Sequence, residues 1–172
     1  MAVNVTQSLG SPFGSGVMAG ETGIMLNNFL NWTDLDPESP NALEPGKPME
    51  NCMSPGQIYR DGQFYSTLGT PGSWGILQTT PQMMLNLLVH EMNIQEAIEA
   101  PRVRFMGGKE VVVEERISAD VLADLERRGH QINRSGMLTY VVGGGHGTYR
   151  DPETGVLSAG ADPRRDGYAM GW

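Results

Sequence analysis

Thr6-Gln7-Ser8-Leu9-Gly10-Ser11-Pro12-Phe13-Gly14-Ser15-Gly16-Val17, followed by Gly23-Ile24-Met25-Leu26-Asn27-Asn28, is the stretch that decides the fold. Glycines, small hydroxyl residues and paired asparagines alternate there with short apolar runs, so the backbone must turn sharply beside buried strands. Residues 3–9 alternate loosely and predict a strand, with 16–19 and 24–26 as short partners. From 31 to 48 the composition shifts to Asp, Glu, Asn and Pro without a sustained period. That predicts a long surface loop, of a length that often serves as a lid.

Further along, Gln57-Ile58-Tyr59-Arg60 and Gln63-Phe64-Tyr65-Ser66-Thr67-Leu68 flank Asp61-Gly62. Such a dipeptide supplies the positive φ angles of a tight hairpin. Ile76, Thr80, Met83, Met84, Leu87 and Leu88 share one face at helical spacing, which predicts a helix over about 73–92. Pro81 either opens a second segment there or kinks one long helix. Asn93-Ile94-Gln95-Glu96 has the spacing of a capping box for a short helix that stops before Pro101. Residues 102–105 and 110–114 read as strands around Gly107-Gly108, and Ser118 as the cap of a helix through Arg128 closed by Gly129. Residues 139–142, 147–150 and 156–159 read as antiparallel strands, with 151–155 a turn.

At 172 residues the chain has the length of one domain with a real core, and 1–172 is expected to be a single domain. Twenty-three Gly and 11 Pro favour turns over long helices. A net charge of −8 with scattered basic residues excludes the clustered Lys and Arg that nucleic-acid binding requires. Cys52 is the single cysteine, so no internal disulfide forms. No apolar run reaches membrane-spanning length. The eleven Met residues read as core filler. Strands, then helices, then strands fit a layered α+β domain.

The opening stretch resembles the start of the small subunit of γ-glutamyltranspeptidases, members of the N-terminal-nucleophile hydrolase superfamily. The likeness continues through Met53-Ser54-Pro55, Thr70-Pro71-Gly72-Ser73, Glu96-Ala97-Ile98-Glu99-Ala100-Pro101-Arg102 and Gly160-Ala161-Asp162-Pro163-Arg164-Arg165, in order and over nearly the whole chain. It implies part of an αββα sandwich, two stacked sheets between helical layers. It also implies γ-glutamyl transfer or amide hydrolysis, the chemistry of glutathione metabolism, with no cofactor. The attacking group would be an N-terminal Thr exposed by self-cleavage, a short stretch upstream of Met1. The expected partners are the large subunit, from the N-terminal half of the same precursor, and a small-molecule amide substrate. A homo-oligomer is a further expectation, because a chain built to dock against a partner exposes apolar surface. The compartment stays open: an exported precursor would place it in the periplasm or outside the cell.

Attack by an N-terminal Thr needs a base, commonly its own α-amine, and N–H donors set in advance around the tetrahedral oxyanion. Thr70-Pro71-Gly72-Ser73 leads into a helix, where unpaired N–H groups and the positive dipole end converge. The resemblance places the oxyanion donors at Gly72 and Ser73, the second replacing a glycine; a tight turn plus helix cap is the plainer alternative. Ser8 matches a Thr whose hydroxyl helps to activate the nucleophile, against the alternative of a strand hydroxyl satisfied by backbone. Asn51-Cys52 stands where a Ser pair holds the substrate α-carboxylate. Asn28 belongs to the Asn pair of the substrate pocket. Phe29 and Trp32 stand where a polar and an acidic side chain grip the substrate amino group, and Gly10 replaces a further polar residue. These departures point to an acylase-like or otherwise altered amide substrate, since charge-assisted bonds to an ammonium group are lost.

Other constellations weigh less. Cys52 has no neighbouring His or cation in sequence to activate it, so a buried, inert thiol outranks a cysteine hydrolase. Gly143-Gly144-Gly145-His146-Gly147 lacks the strand–loop–helix context of a phosphate cradle and reads as a bend between strands. His90, His130 and His146 lack metal-ligand spacing. Asp162-Pro163-Arg164-Arg165 reads as paired charges tying the C-terminal segment to its neighbours rather than as an anion site. A non-catalytic interaction module of the same fold, from a truncated gene, is the alternative of another class.

Overall fold

Strands β1 (Gly56–Arg60) and β2 (Gln63–Gly69) form the predicted hairpin, with Asp61 at φ 50° and Gly62 at φ 76° in its turn. The computed structural model describes residues 1–172, which divide into two compact units, 1–6 with 53–172 and 7–52.

The larger unit continues with α1 (Ile76–Leu88), α2 (Ile94–Glu99), β3 (Val103–Gly107), β4 (Glu110–Glu114), α3 (Ala119–Arg127), β5 (Gln131–Ser135), β6 (His146–Arg150) and β7 (Leu157–Ala161). One sheet runs β1-β2-β6-β7, antiparallel throughout; the other runs β3-β4-β5, with β5 parallel to β4. Leu68 and Tyr65 of β2 pack with Met83 and Leu87 of α1 and with Ile94, Ala97 and Ile98 of α2. Burying each large apolar side chain contributes about 1.5–3 kcal/mol. A second cluster joins Val111 and Val113 of β4 to Leu122 of α3.

Helix α1 runs unbroken through Pro81, so of the two alternatives one continuous helix forms and no second segment opens there. It ends at Leu88, short of the expected 92, because Glu91 at φ 53° turns the backbone left-handed. Asn93 and Glu96 form the reciprocal capping box of α2. Ser118 occupies the N-cap position of α3 without a side-chain cap bond, and Gly129 follows the helix at φ 93°. Two α1 side chains line the outer edge of β3. Gln82 accepts from Val103 N–H at 3.0 Å and donates to Val103 O at 2.9 Å, while Gln78 does the same with Phe105 at 2.7 and 3.1 Å. Gln95 of α2 treats Ala161 of β7 likewise, at 3.0 and 2.9 Å.

Two expectations need correction, and one element was not expected. Residues 3–9 form no strand; the Asn4 amide instead donates to Gly56 O and Leu68 O, both at 2.9 Å, so a side chain replaces a main-chain ladder there. Residues 139–142 are not a strand either. Tyr140–Val142 is a 3-10 turn, because Thr139 caps Val141 N–H and side chains occupy the carbonyls that a neighbouring strand would use. Finally, β5 is a strand that the short polar run Gln131-Ile132-Asn133-Arg134-Ser135 did not signal.

In the smaller unit, the expected pairing of 16–19 with 24–26 is a short ladder. Ala19 N–H donates to Ile24 O and Leu26 N–H to Val17 O, with a bridge between Met18 and Met25. Residues 33–48 are turns and irregular backbone with a single bridge, Asp34 to Ala42.

Candidate functional site

In the larger unit the polypeptide leaves β2 at Gly69 and bends before α1. Gly72 sits at φ 140° and Ser73 at φ 54°, followed by a 3-10 turn over Ser73–Gly75. Neither the Gly72 nor the Ser73 amide donates to a protein acceptor; within the bend Thr70 Oγ1 donates to Pro71 O at 2.8 Å, Gly75 N–H to Gly72 O and Ile76 N–H to Ser73 O. Both amides therefore stand free at the entrance to a 13-residue helix, where the backbone dipoles favour negative charge. A serine held left-handed costs on the order of 1 kcal/mol relative to glycine, so surrounding contacts must enforce the conformation.

Those contacts come from the loop before β6. A Cβ on Gly72 would lie 3.5 Å from Gly143 Cα, and one on Gly143 would lie 2.5 Å from Thr70 Oγ1. Gly144 N–H donates to Thr70 Oγ1 at 3.0 Å and Thr79 Oγ1 donates to Val142 O at 2.8 Å. The glycine run is thus a tightly packed bend. It offers no phosphate cradle, because the Gly143, Gly144 and Gly145 amides already serve Tyr140 O, Thr70 Oγ1 and Asp162 Oδ2.

Beneath this loop lies a buried cluster of four charges. Arg102 Nη2 meets Asp162 Oδ2 at 2.7 Å, and Arg164 bonds Asp162 Oδ1 at 3.0 Å and both oxygens of Glu114 at 2.7 and 2.5 Å, with all four side chains wholly buried. Arg102 also donates to Val142 O at 3.2 Å, and Gly145 N–H to Asp162 at 2.8 Å, so the cluster anchors both ends of the glycine bend. Burial pushes the Glu114 and Asp162 carboxyls up, but their bonds from Arg164 and from backbone amides, and the Arg102 charge beside Asp162, outweigh it and hold both below the usual range. Burial alone would lower Arg164; the Glu114 and Asp162 carboxylates raise it instead. Paired charges at Asp162 and Arg164 agree with the expectation drawn from their sequence. The supporting roles of Thr70, Thr79, Arg102 and Glu114 were not legible in the sequence, because their partners lie far along the chain.

In the smaller unit, Ser8 is exposed and its hydroxyl accepts from Gly10 N–H at 3.1 Å. Gly10, at φ 88°, is pressed against Asn28, whose Oδ1 would lie 2.3 Å from a Cβ, and against the Phe29 ring at 3.3 Å. Asn28 accepts from Ser11 N–H at 3.0 Å and donates to Ser11 Oγ at 2.8 Å. Phe29 and Trp32 share one 3-10 turn with ring centroids 4.6 Å apart, tilted by 32°. Ser8, Gly10, Asn28, Phe29 and Trp32 therefore form one contiguous group. At the end of this unit Asn51 is exposed and Cys52 is fully buried, out of reach of solvent for any thiolate chemistry.

Residues 1–172 match the family described as Gamma-glutamyltranspeptidase. The chain is 35% identical over 96% of its length to the acylase ACY 1 proenzyme of Pseudomonas sp. (strain V22), and 33% identical over 95% to the glutathione hydrolase proenzyme of Escherichia coli (strain K12). It spans 29% of each of those relatives. Among solved structures, a gamma-glutamyltranspeptidase from Pseudomonas nitroreducens complexed with L-DON superposes with TM-score 0.85 at 26% identity, covering 99% of this chain and 93% of that one. A cephalosporin acylase from Bacillus halodurans gives TM-score 0.85 at 37% identity, covering 92% of this chain and 30% of that one. The α+β architecture is accordingly part of the N-terminal-nucleophile hydrolase fold. No helix is long and apolar enough to cross a membrane. The chain belongs to the gamma-glutamyltranspeptidase family, whose members are N-terminal-nucleophile hydrolases and transferases.

Proposed function

We propose that this chain is the small-subunit portion of a γ-glutamyltransferase-like amidohydrolase or acyltransferase, with both units together equivalent to most of one small subunit. The Gly72 and Ser73 amides stabilise the oxyanion, and Ser8 assists a nucleophilic Thr carried upstream of Met1. Gly10, Asn28, Phe29, Trp32 and Asn51 contribute to the substrate pocket, with the buried Cys52 packed behind Asn51 rather than contacting substrate, and the large subunit completes it. One observation carries this reading: two adjacent amides at a left-handed bend donate to no protein acceptor. Its support from comparison is that the chain matches nearly all of one solved transpeptidase chain but under a third of proenzymes.

A tetrahedral oxyanion held 2.7–3.1 Å from both N–H groups gains stabilisation only as charge develops, which lowers the barrier rather than merely binding substrate. The test is to express the full frame, upstream segment included, beside the 172-residue piece. Turnover of γ-glutamyl, glutaryl or simple acyl amides is expected from the full protein alone. Measurable turnover by the isolated piece would overturn the assignment of the nucleophile.

The Phe29–Trp32 pair favours a second, narrower reading, that of an acylase whose acyl group lacks the γ-glutamyl ammonium. Two adjacent, tilted rings present apolar surface and supply no carboxylate, so a neutral acyl chain desolvates there more cheaply than a charged one. A clear preference for γ-glutamyl amides in the same panel would sink this reading without touching the first.

A further inference from the structure

A cavity of about 540 Å³ opens in the larger unit where the end of α1 and the start of α2 meet the first sheet. Its volume lies within the range of small-molecule sites. Leu87, Met92 and Ile94 contribute its apolar lining, and Tyr65 and Tyr149, edge-on at 5.0 Å, contribute its aromatic part. Two charged residues of opposite sign line the same cavity, Arg60 from β1 and Glu91 from the turn after α1.

Arg60 and Glu91 are both exposed, and neither forms an ion pair. Arg60 lies with its guanidinium carbon 4.5 Å over the Tyr65 ring, a contact that orients the group through its face. Its in-plane N–H donors remain available, since it forms no ion pair and no hydrogen bond within the protein. The Glu91 carboxylate likewise bonds to nothing, Arg60 included. Glu91 is also one of only three non-glycine residues at positive φ. Asp61 serves the hairpin turn and Ser73 the oxyanion bend, whereas a glycine would turn the chain after α1 with less strain. In this chain a carboxylate thus lines the cavity from a backbone position that glycine would occupy with less strain.

From the cavity and these two unpaired charges we infer a second binding site, distinct from the Gly72–Ser73 bend, for a small zwitterion with an apolar body: an apolar amino acid or its dipeptide. Arg60 takes the carboxylate in its plane, Glu91 takes the ammonium group, and the side chain lies against Leu87, Met92 and the tyrosines.

The test uses the full-length protein and calorimetric titration with L-phenylalanine and L-phenylalanyl-L-leucine, against phenethylamine and 3-phenylpropionate, each lacking one charge. At least one zwitterion is expected to bind at least tenfold more tightly than either half-charged analogue, and the two zwitterions separate the amino-acid from the dipeptide source. Arg60→Gln should abolish the advantage over phenethylamine, and Glu91→Gln the advantage over 3-phenylpropionate. Glu91→Gly should raise the melting temperature while weakening binding, a combination that damage to the fold does not produce. Equal binding of all four compounds, no saturable binding, or zwitterion binding unchanged in both Gln variants would overturn the site. Amide hydrolysis is followed in parallel. Loss of the hydrolase reading alone leaves these titrations intact, and failure of the titrations leaves the hydrolase reading intact.

Discussion

Arg164 grips Glu114 through two bonds at once, Nε to Oε1 at 2.7 Å and Nη2 to Oε2 at 2.5 Å, with both side chains fully buried. The same guanidinium reaches the carbonyls of Ile98, Glu99 and Ala100 at 3.0–3.2 Å, where α2 ends and its unpaired acceptors carry the negative end of the helix dipole. One cation thereby joins β4 to the helix that packs on the other sheet.

Glu114→Gln should destabilise the full protein by about 3–5 kcal/mol, because it leaves the Arg164 charge buried with half its compensation. Equilibrium urea unfolding checks this. A loss below about 1 kcal/mol would show that water already reaches the pair.

Stability should also fall with acid in a defined window. Glu114 and Asp162 titrate below their ordinary values of 4.5 and 3.8, held down by Arg164, Arg102 and backbone amides against the opposing effect of burial. A depressed carboxyl stabilises the fold above its unfolded pKa, and that contribution disappears as pH drops through the folded pKa. The urea midpoint is therefore expected to change little through these groups from pH 7 to about pH 5 and to decline below about pH 4. In Glu114→Gln the decline should be shallower.

At the bend, Ser73→Gly retains the amide and removes left-handed strain of on the order of 1 kcal/mol. A higher melting temperature with kcat within a few-fold of the parent is expected. Ser73→Pro removes the donor and, because proline holds φ at about −65° rather than 54°, also undoes the left-handed bend, so kcat should fall by at least about 10²–10³. Thermal denaturation of the Pro variant separates lost chemistry from lost fold.

Gly143→Ala should act on the bend from behind. Its Cβ would sit 2.5 Å from Thr70 Oγ1 at φ 98°, so Thr70 and the bend must shift. A destabilisation on the order of 1–3 kcal/mol is expected, together with a fall in kcat larger than any rise in KM.

For specificity, Trp32→Asp places a carboxylate where an acyl α-ammonium is expected. Preference for γ-glutamyl over glutaryl anilide should rise roughly ten- to a hundredfold, the worth of one charge-assisted bond. An unchanged ratio would place Trp32 away from the acyl group.

Elements written by adjacent residues were legible in the sequence. The Asp61-Gly62 hairpin and the Asn93–Glu96 capping box follow from dipeptide and four-residue chemistry, and both are present. Features written by distant partners were not. Residues 139–142 carry strand-like composition, yet their carbonyls bond to the side chains of Thr79, Arg102 and Arg104, 37 to 63 positions away. Likewise β5 alternates too weakly to be seen, and pairing with β4 after the α3 crossover makes it a strand. The bend at Gly72 was visible as a turn before a helix. Its mechanical support was not, because Gly143 and Asp162 are remote in sequence.

The carboxamides of Gln78 and Gln82 have a consequence for how the second sheet ends. Four helical residues rise about 6.0 Å and two strand residues about 6.6 Å, so the pair falls in step with Val103 and Phe105 and occupies their outward N–H and C=O groups. A strand rim left bare would template further pairing between molecules. Here α1 terminates the hydrogen-bond lattice as a neighbouring strand would, without offering a fresh rim of its own, so the sheet's width is set by two amide side chains.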